Sequence, residues 1–340
     1  MKRVVFPAEW HPQSGVQITW PHADTDWFDI LDEITDCYVA FSKEILKREK
    51  LLVVCPDEQE VTKHFTHEEQ KKLIISTHKS NDTWARDHGP LSVFQNGTPT
   101  LLDFGFNGWG LKFAANYDNQ ITKHLFEKEE FNPNVQYESR INFIFEGGSI
   151  ESDGKGTLLT TSQCLLAPNR NQPMTQDEID AYLRETLGAD RILWLNHGYL
   201  AGDDTDSHVD TLARFCDENT IAYVTCEDES DEHFDELKRM EKELKSFRTA
   251  QGKSYNLIPL PMADAVFYNG YRLPATYANF LIINNAVLMP TYASTKDELA
   301  KKQLQKAFPN REIIGIDCRP LIKQHGSLHC VTMQFPEGFL

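Results

Sequence analysis

Long apolar runs are missing from this chain of 340 residues. None approaches the ~20 residues of a membrane-spanning helix. The first apolar stretch, Val4 to Phe6, is far shorter than the core of a secretory signal. Cysteine pairing is missing too. The seven cysteines are odd in number and no two have CxxC spacing, which argues against a disulfide framework or zinc cluster and for a reducing, cytoplasmic setting. Positive charge is short: 34 Lys and Arg stand against 51 Asp and Glu, a net −17. Nucleic acids and anionic membranes are bound by basic patches, so neither is expected as a partner; a cationic substrate fits the balance. No Gly/Ser-rich linker or low-complexity tract divides the chain, so one domain over residues 1–340 is expected.

Strand-like and helix-like segments alternate. Short β-branched stretches bounded by turn formers, among them GVQITW, LLVVCP, TLLDFGF, TIAYVTC and FLIINNAVLMP, predict strands. Helices are expected around residues 36, 122, 181, 239 and 302. The clearest is TQDEIDAYLRETLG, with Thr175 as N-cap, Glu178 at the capping-box position and Gly188 past the end. The helix centres recur at a rough, irregular period. Five units of about 68 residues would fill the chain, which suits a propeller-like repeat or a plain α/β sheet.

Four stretches carry unusual polar content. In NDTWARDHGP, residues 81–90, Asp87 stands beside Arg86 and ahead of His88-Gly89-Pro90; read alone, this is a turn with a local ion pair. In FEGGSIE, residues 145–151, Glu146 follows the apolar INFIF strand and precedes Gly147 and Gly148. The glycines permit close backbone approach or a positive φ, and the plain reading is a tight turn with an exposed Glu. In DDTDSHVDTLARF, residues 203–215, His208 and Asp210 point the same way if extended and diverge by about 200° if helical. A metal would want further His or Cys ligands close by; none stand there, so no metal is expected.

The fourth stretch, HGSLHCVTMQF, residues 325–335, reads with period 2 as a strand. Leu328, Cys330, Thr332 and Gln334 would share one face, entered through Gly326-Ser327. A lone cysteine in a strand is usually inert core. Its company changes the reading: a His-x-Asp pair and two further acids, each expected at a strand end. Cysteine nucleophiles commonly work with a histidine acid/base. Carboxylates around a thiol are wrong for an oxyanion site and right for a cationic reacting group, of which guanidinium is the planar, bidentate case.

PAEWHPQSGVQITWPH, WARDHGP, EGGSIE, LLAPNRN, SHVDTLARF and GSLHCVTMQ, in this order from Pro7 to Gln334, resemble the agmatine deiminase / bacterial (Porphyromonas-type) peptidyl-arginine deiminase family of guanidine-modifying enzymes. The resemblance implies a five-bladed α/β-propeller, the pentein fold, with pseudo-fivefold repeats and the site at its central pore. It implies Cys330 as nucleophile, His208 as acid/base, Asp87 and Asp210 as guanidinium clamps and Glu146 as the carboxylate that orients the histidine. It places Trp84, Gly148 and Gly326 at the substrate, and Asp204 at the far cation of agmatine. No cofactor is implied; a homodimer is compatible. The chain departs from the family pattern at His88, Glu151 and the run Gln324 to Ser327, positions expected near the pocket rim. The activity implied is hydrolysis of agmatine to N-carbamoylputrescine and ammonia through a covalent thiouronium, with a protonated His208 or the bound cation lowering the Cys330 pKa. Peptidyl-arginine or free arginine are the alternative substrates, and a catalytically silent propeller acting as a binding factor is the non-enzymatic alternative.

Overall fold

The computed structural model describes residues 3–340. Helices lie at Leu31–Leu46, Ile121–Glu127, Gln176–Leu187, Phe234–Ser246 and Asp297–Ala307, around the five expected centres. Local chemistry explains their ends. The Thr175 side chain accepts from the Glu178 N–H while Glu178 reaches back to the cap, and Gly188 closes the helix in the left-handed region. The Phe234–Ser246 helix buries Leu237, Met240 and Leu244, a three- and four-residue spacing that turns one stripe inward.

One unit recurs five times. Two strands pair antiparallel, and the chain then crosses through helix to a third strand parallel to the second. Leu91–Gln95, Thr98–Gly105 and Gln136–Ile144 form one such unit. Ile150–Ser152, Thr157–Thr161 and Arg191–Leu195 form the next, followed by Ala213–Asp217, Thr220–Thr225 and Asn256–Pro261. Leu281–Ile283, Ala286–Thr291 and Glu312–Asp317 make the fourth. The last is assembled from both chain ends: Thr332–Pro336 pairs with Gln13–Thr19, which runs parallel to Lys50–Cys55. The fold is thus α/β with mixed sheets. No helix among the described residues is long and apolar enough to cross a membrane.

Two strand expectations are corrected. FLIINNAVLMP is a hairpin rather than one strand, because Asn285 adopts a positive φ of 65° and reverses the chain. The final strand begins only at Thr332; Cys330 lies in the turn before it. The alternation of residues 328–335 therefore does not set which way the thiol faces. The Thr332 hydroxyl bonds to the carbonyls of Leu328 and His329, which holds that turn closed.

Gly188 is fixed twice. Its φ is +68°, and a Cβ there would lie 2.1 Å from the Val4 carbonyl oxygen. Gly188→Ala is expected to destabilise the protein by at least ~1 kcal/mol, read as a lowered urea midpoint. An unchanged midpoint would show that the contact between this helix end and the strand Val4–Val5 contributes nothing.

Candidate active site

The segments that lead into the first strand of each unit converge. Trp84 to Asp87 precede Leu91, Glu146 to Gly148 precede Ile150, His208 to Asp210 precede Ala213, Asn279 precedes Leu281, and Cys330 precedes Thr332. Asp87 sits in a short helix, Ala85–His88, not in a turn, and it forms no ion pair with Arg86. His208 is extended and Asp210 lies in the 3-10 turn Val209–Thr211, yet both reach Gly148.

Gly148 is the meeting point. A Cβ on it would stand 2.5 Å from His208 Nδ1, 2.9 Å from Asp87 Oδ1 and 3.2 Å from Asp210 Oδ2. Close approach, not a positive φ, is what requires glycine here. Its N–H donates to Asp87 Oδ1 at 3.0 Å. Asp87 Oδ2 accepts from Trp109 Nε1 at 2.9 Å. Trp109 is presented by a left-handed turn in which Gly108, Trp109, Gly110 and Leu111 all have positive φ, a costly conformation for the two non-glycine residues.

The charges are buried and unevenly matched. Glu146 is fully buried, not the exposed turn residue of the plain reading, and takes both oxygens to Arg170 Nε at 3.0 and 3.1 Å. Its Oε2 is 3.9 Å from His208 Nε2, and His208 Nδ1 is 3.6 Å from Asp87 Oδ1. Neither ring nitrogen has a hydrogen-bond partner. Burial opposes charge on His208, but Asp87, Cys164 and Glu146 outweigh it and hold its pKa well above the ordinary value. Burial pushes Asp87 up to about 6, although His208 pulls it down. Asp210 goes the other way: burial would raise it, but the hydrogen bond and charge of His329 hold it low. His329 Nδ1 lies 2.8 Å from Asp210 Oδ2, and its Nε2 lies 2.7 Å from Glu9 Oε2. Asp210 Oδ1 is buried with no partner.

Cys330 is buried beside these groups. Its Sγ is 3.3 Å from Asn279 Nδ2 and 3.9 Å from Asp210 Oδ2. Burial, then Asp210 and Asp87, push the thiol well above its ordinary pKa. The expected lowering by His208 is absent from this arrangement; His208 acts instead on Cys164, Glu146 and Asp87.

A cavity of about 160 Å³ opens onto Cys330 and Asp87. Trp84, Trp109 and Phe113 supply apolar walls, and Asp203, Asp204 and His325 line it as well. Trp84 packs closely against Gly326, where a Cβ would be 2.0 Å from the indole. Burial raises Asp204 to about 6, with His325 opposing. Of the departures from the family pattern, only Gln324, His325 and Gly326 line this cavity. His88 and Glu151 do not lie at its rim. His88 is packed on Phe106 and meets Thr19 at 3.2 Å. Glu151 is ion-paired with the buried Arg214, whose charge it neutralises together with Glu9.

Sequence reasoning missed Glu9, Asn279, His329, Arg170, Trp109 and Cys164. His329, Arg170 and Glu9 stood inside quoted motifs; their neighbours in space were the missing signal.

Residues 5–336 match the model of the Porphyromonas-type peptidyl-arginine deiminase family, and the chain belongs to that family. A Porphyromonas gingivalis structure provisionally named an arginine deiminase is similar at 54% identity, covering 99% of this chain and 100% of that one, with TM-score 0.96. A cysteine-to-serine variant of C. jejuni agmatine deiminase with substrate bound is similar at 40% identity and TM-score 0.93, covering 100% of this chain and 98% of that one. Agmatine deiminase of Stutzerimonas stutzeri is 31% identical, over 98% of this chain and 96% of its own. The fold is of the α/β pentein-related kind: dimethylarginine dimethylaminohydrolase from Pseudomonas aeruginosa aligns over 95% of this chain at TM-score 0.50 and 13% identity, a likeness of fold alone.

A thiol held neutral reacts slowly. In the ligand-free protein, alkylation of Cys330 by iodoacetamide is expected to be slower than that of free cysteine at pH 7 and to accelerate steadily toward pH 10, read by peptide mass spectrometry. A plateau already reached at pH 7 would mean that the thiolate is stabilised without ligand.

Proposed function

We propose that this family member is an agmatine deiminase, an amidine hydrolase that converts agmatine and water to N-carbamoylputrescine and ammonia. One observation carries the reading. Asp87 and Asp210 are buried against Gly148 beside the Cys330 thiol, and Asp210 Oδ1 has no partner. Neither carboxylate has an arginine or lysine partner, only histidines, and a planar guanidinium satisfies such groups in pairs.

In this reading Asp87 and Asp210 hold the guanidinium flat. Its charge offsets the two carboxylates that keep the Cys330 proton on; that proton leaves to solvent as the cation binds and returns when the product is released, and the thiolate attacks the central carbon. His208, kept charged by its neighbours, gives a proton to the departing ammonia and leaves a thiouronium on Cys330. It then takes a proton from the water that attacks the same carbon, and the thiolate leaves. Glu146 orients His208. Asn279, within hydrogen-bond distance of the sulfur, steadies the nucleophile. The five repeated units are read as blades of a five-bladed propeller in one catalytic domain; a homodimer and a cytoplasmic setting belong to the same proposal.

Among agmatine, arginine and peptidyl arginine, the cavity favours agmatine. Its lining has Asp26, Asp82, Asp203 and Asp204 and, among the described residues, no Lys or Arg. An α-carboxylate would meet repulsion; a primary ammonium meets Asp204. A silent binding factor would have no use for this cluster, and at a net charge of −17 would bind nucleic acid poorly.

The direct test is a ureido-product assay with agmatine, arginine and an arginyl peptide side by side. Cys330→Ala and His208→Ala are each expected to lose at least ~10³-fold in turnover, as members of one unit, and a quenched wild-type reaction should carry the adduct on Cys330 alone. Turnover by Cys330→Ala within tenfold of wild type would sink the covalent route.

Selectivity and pH dependence follow from the carboxylates. Asp87 and Asp204 both titrate near 6 in the free protein. Each is charged above that pH and neutral below it, so kcat/KM for agmatine should fall as pH drops through 6. Asp204→Asn is expected to lower kcat/KM for agmatine roughly tenfold, about 1.4 kcal/mol, and to narrow the preference over arginine. An unchanged agmatine-to-arginine ratio would show that Asp204 is not the selector.

A further inference from the structure

We propose that Arg170 is a positioning residue that ties the carboxylate behind His208 to the loop that meets the far end of the substrate. The inference rests on the agmatine deiminase reading and deepens it. One guanidinium makes every contact. Its Nε donates to both Glu146 oxygens at 3.0 and 3.1 Å, its Nη1 to Asp206 Oδ2 at 2.7 Å, and its Nη2 to the Thr205 carbonyl at 3.0 Å. The Arg170 side chain is 1% exposed, so its donors are spent on this link and not on water. Only the rigid planar fork reaches three directions at once; a lysine ammonium keeps the charge and loses the geometry.

The loop at the other end needs holding. Asp206 and Ser207 both adopt left-handed backbone, with φ of 66° and 62°. Consecutive non-glycine residues in that region store strain that surrounding contacts must offset. Asp203 does part of this, accepting from the Ser207 N–H at 2.7 Å. Thr161 Oγ1 donates to the Ser207 carbonyl at 2.8 Å, and Asp206 adds its own anchor as the acceptor shared by Arg170 Nη1 and Lys112 Nζ; Lys112 also donates to the Asp204 carbonyl at 2.6 Å. Asp204 lines the cavity from this loop, and His208 follows two residues after Asp206. The same arginine therefore sets the orientation of His208 through Glu146 and the placement of Asp204 through Asp206 and Thr205. Chemistry at one end of the substrate and recognition at the other are fixed by one side chain.

The experiment compares agmatine with butylguanidine, which has the same reacting group and no far cation, in wild type, Arg170→Lys, Asp206→Asn and the double variant. Arg170→Lys is expected to lower kcat on both substrates roughly tenfold and to lower the agmatine-to-butylguanidine ratio of kcat/KM roughly tenfold further. Asp206→Asn should lower that ratio by a similar factor with a smaller effect on kcat. The double variant should lose no more selectivity than Arg170→Lys alone, because the two share one link. If Arg170→Lys lowers kcat with the ratio intact, Arg170 serves Glu146 only and the link is refuted. An intact ratio in Asp206→Asn refutes it as well, even where Arg170→Lys fails to fold by circular dichroism. Wild type that turns over butylguanidine but shows no preference for agmatine overturns the parent reading instead.

Discussion

Buried negative charge is the constraint on which this site depends. Asp87, Asp210 and Glu146 are all 3% exposed or less, and an ion taken out of water is tolerated only when it is paired or loses its charge. Each carboxylate is handled differently. Glu146 has Arg170. Asp210 has His329, itself anchored on Glu9, which in turn is paired with Arg214. Asp87 has only neutral donors, Trp109 and the Gly148 amide, and a histidine at 3.6 Å. The gradient from fully paired to barely paired runs toward the cavity. The carboxylate with the weakest cationic partner is the one that lines it.

The fold delivers this arrangement by repetition. Each unit places a short segment of coil, turn or helix ahead of its first strand, and those five segments meet. Irregular backbone is where side chains can be aimed freely, and the sheets behind it supply the rigidity. Close approach demands the glycines: Gly148 admits His208 and two carboxylates, and Gly326 admits the Trp84 indole. The outer shell works by the same rule. Arg214 is fully buried between Glu9 and Glu151, so a segment near the N-terminus, a strand of the second unit and a strand of the third are locked by one guanidinium.

Much of this was legible. Helix positions followed from apolar spacing and caps, as Thr175, Glu178 and Gly188 show, and the acidic company of Cys330 in the sequence pointed to a cationic reactant. What was not legible depends on contacts between units. Period 2 placed Cys330 in a strand because its neighbours alternate; the Thr332 hydroxyl turns the backbone before that pattern can apply. The hairpin at Asn284-Asn285 was hidden inside a continuous apolar run. Asn279 looks like any loop asparagine until Cys330, 51 residues later, is brought to it. His88 and Glu151 were expected at the rim, but His88, one residue past Asp87, packs on Phe106, and Glu151, five residues past Glu146, pairs with the buried Arg214.

The same charges that bind a cation explain why the thiol can be left idle. With the cavity free, burial and two carboxylates keep the Cys330 proton in place, and a neutral thiol is a poor nucleophile and a poor target for oxidation or stray alkylation. In the proposed reading, a guanidinium between Asp87 and Asp210 offsets their negative field. It lowers the thiol pKa at the moment a carbon is in position to be attacked, and each unit of lowering corresponds to ~1.4 kcal/mol. A neutral molecule of the same shape brings no such offset. On that reading, selectivity for a cation and activation of the nucleophile are one electrostatic event, which is why the carboxylates are buried and why Asp87 is left without an arginine or lysine partner.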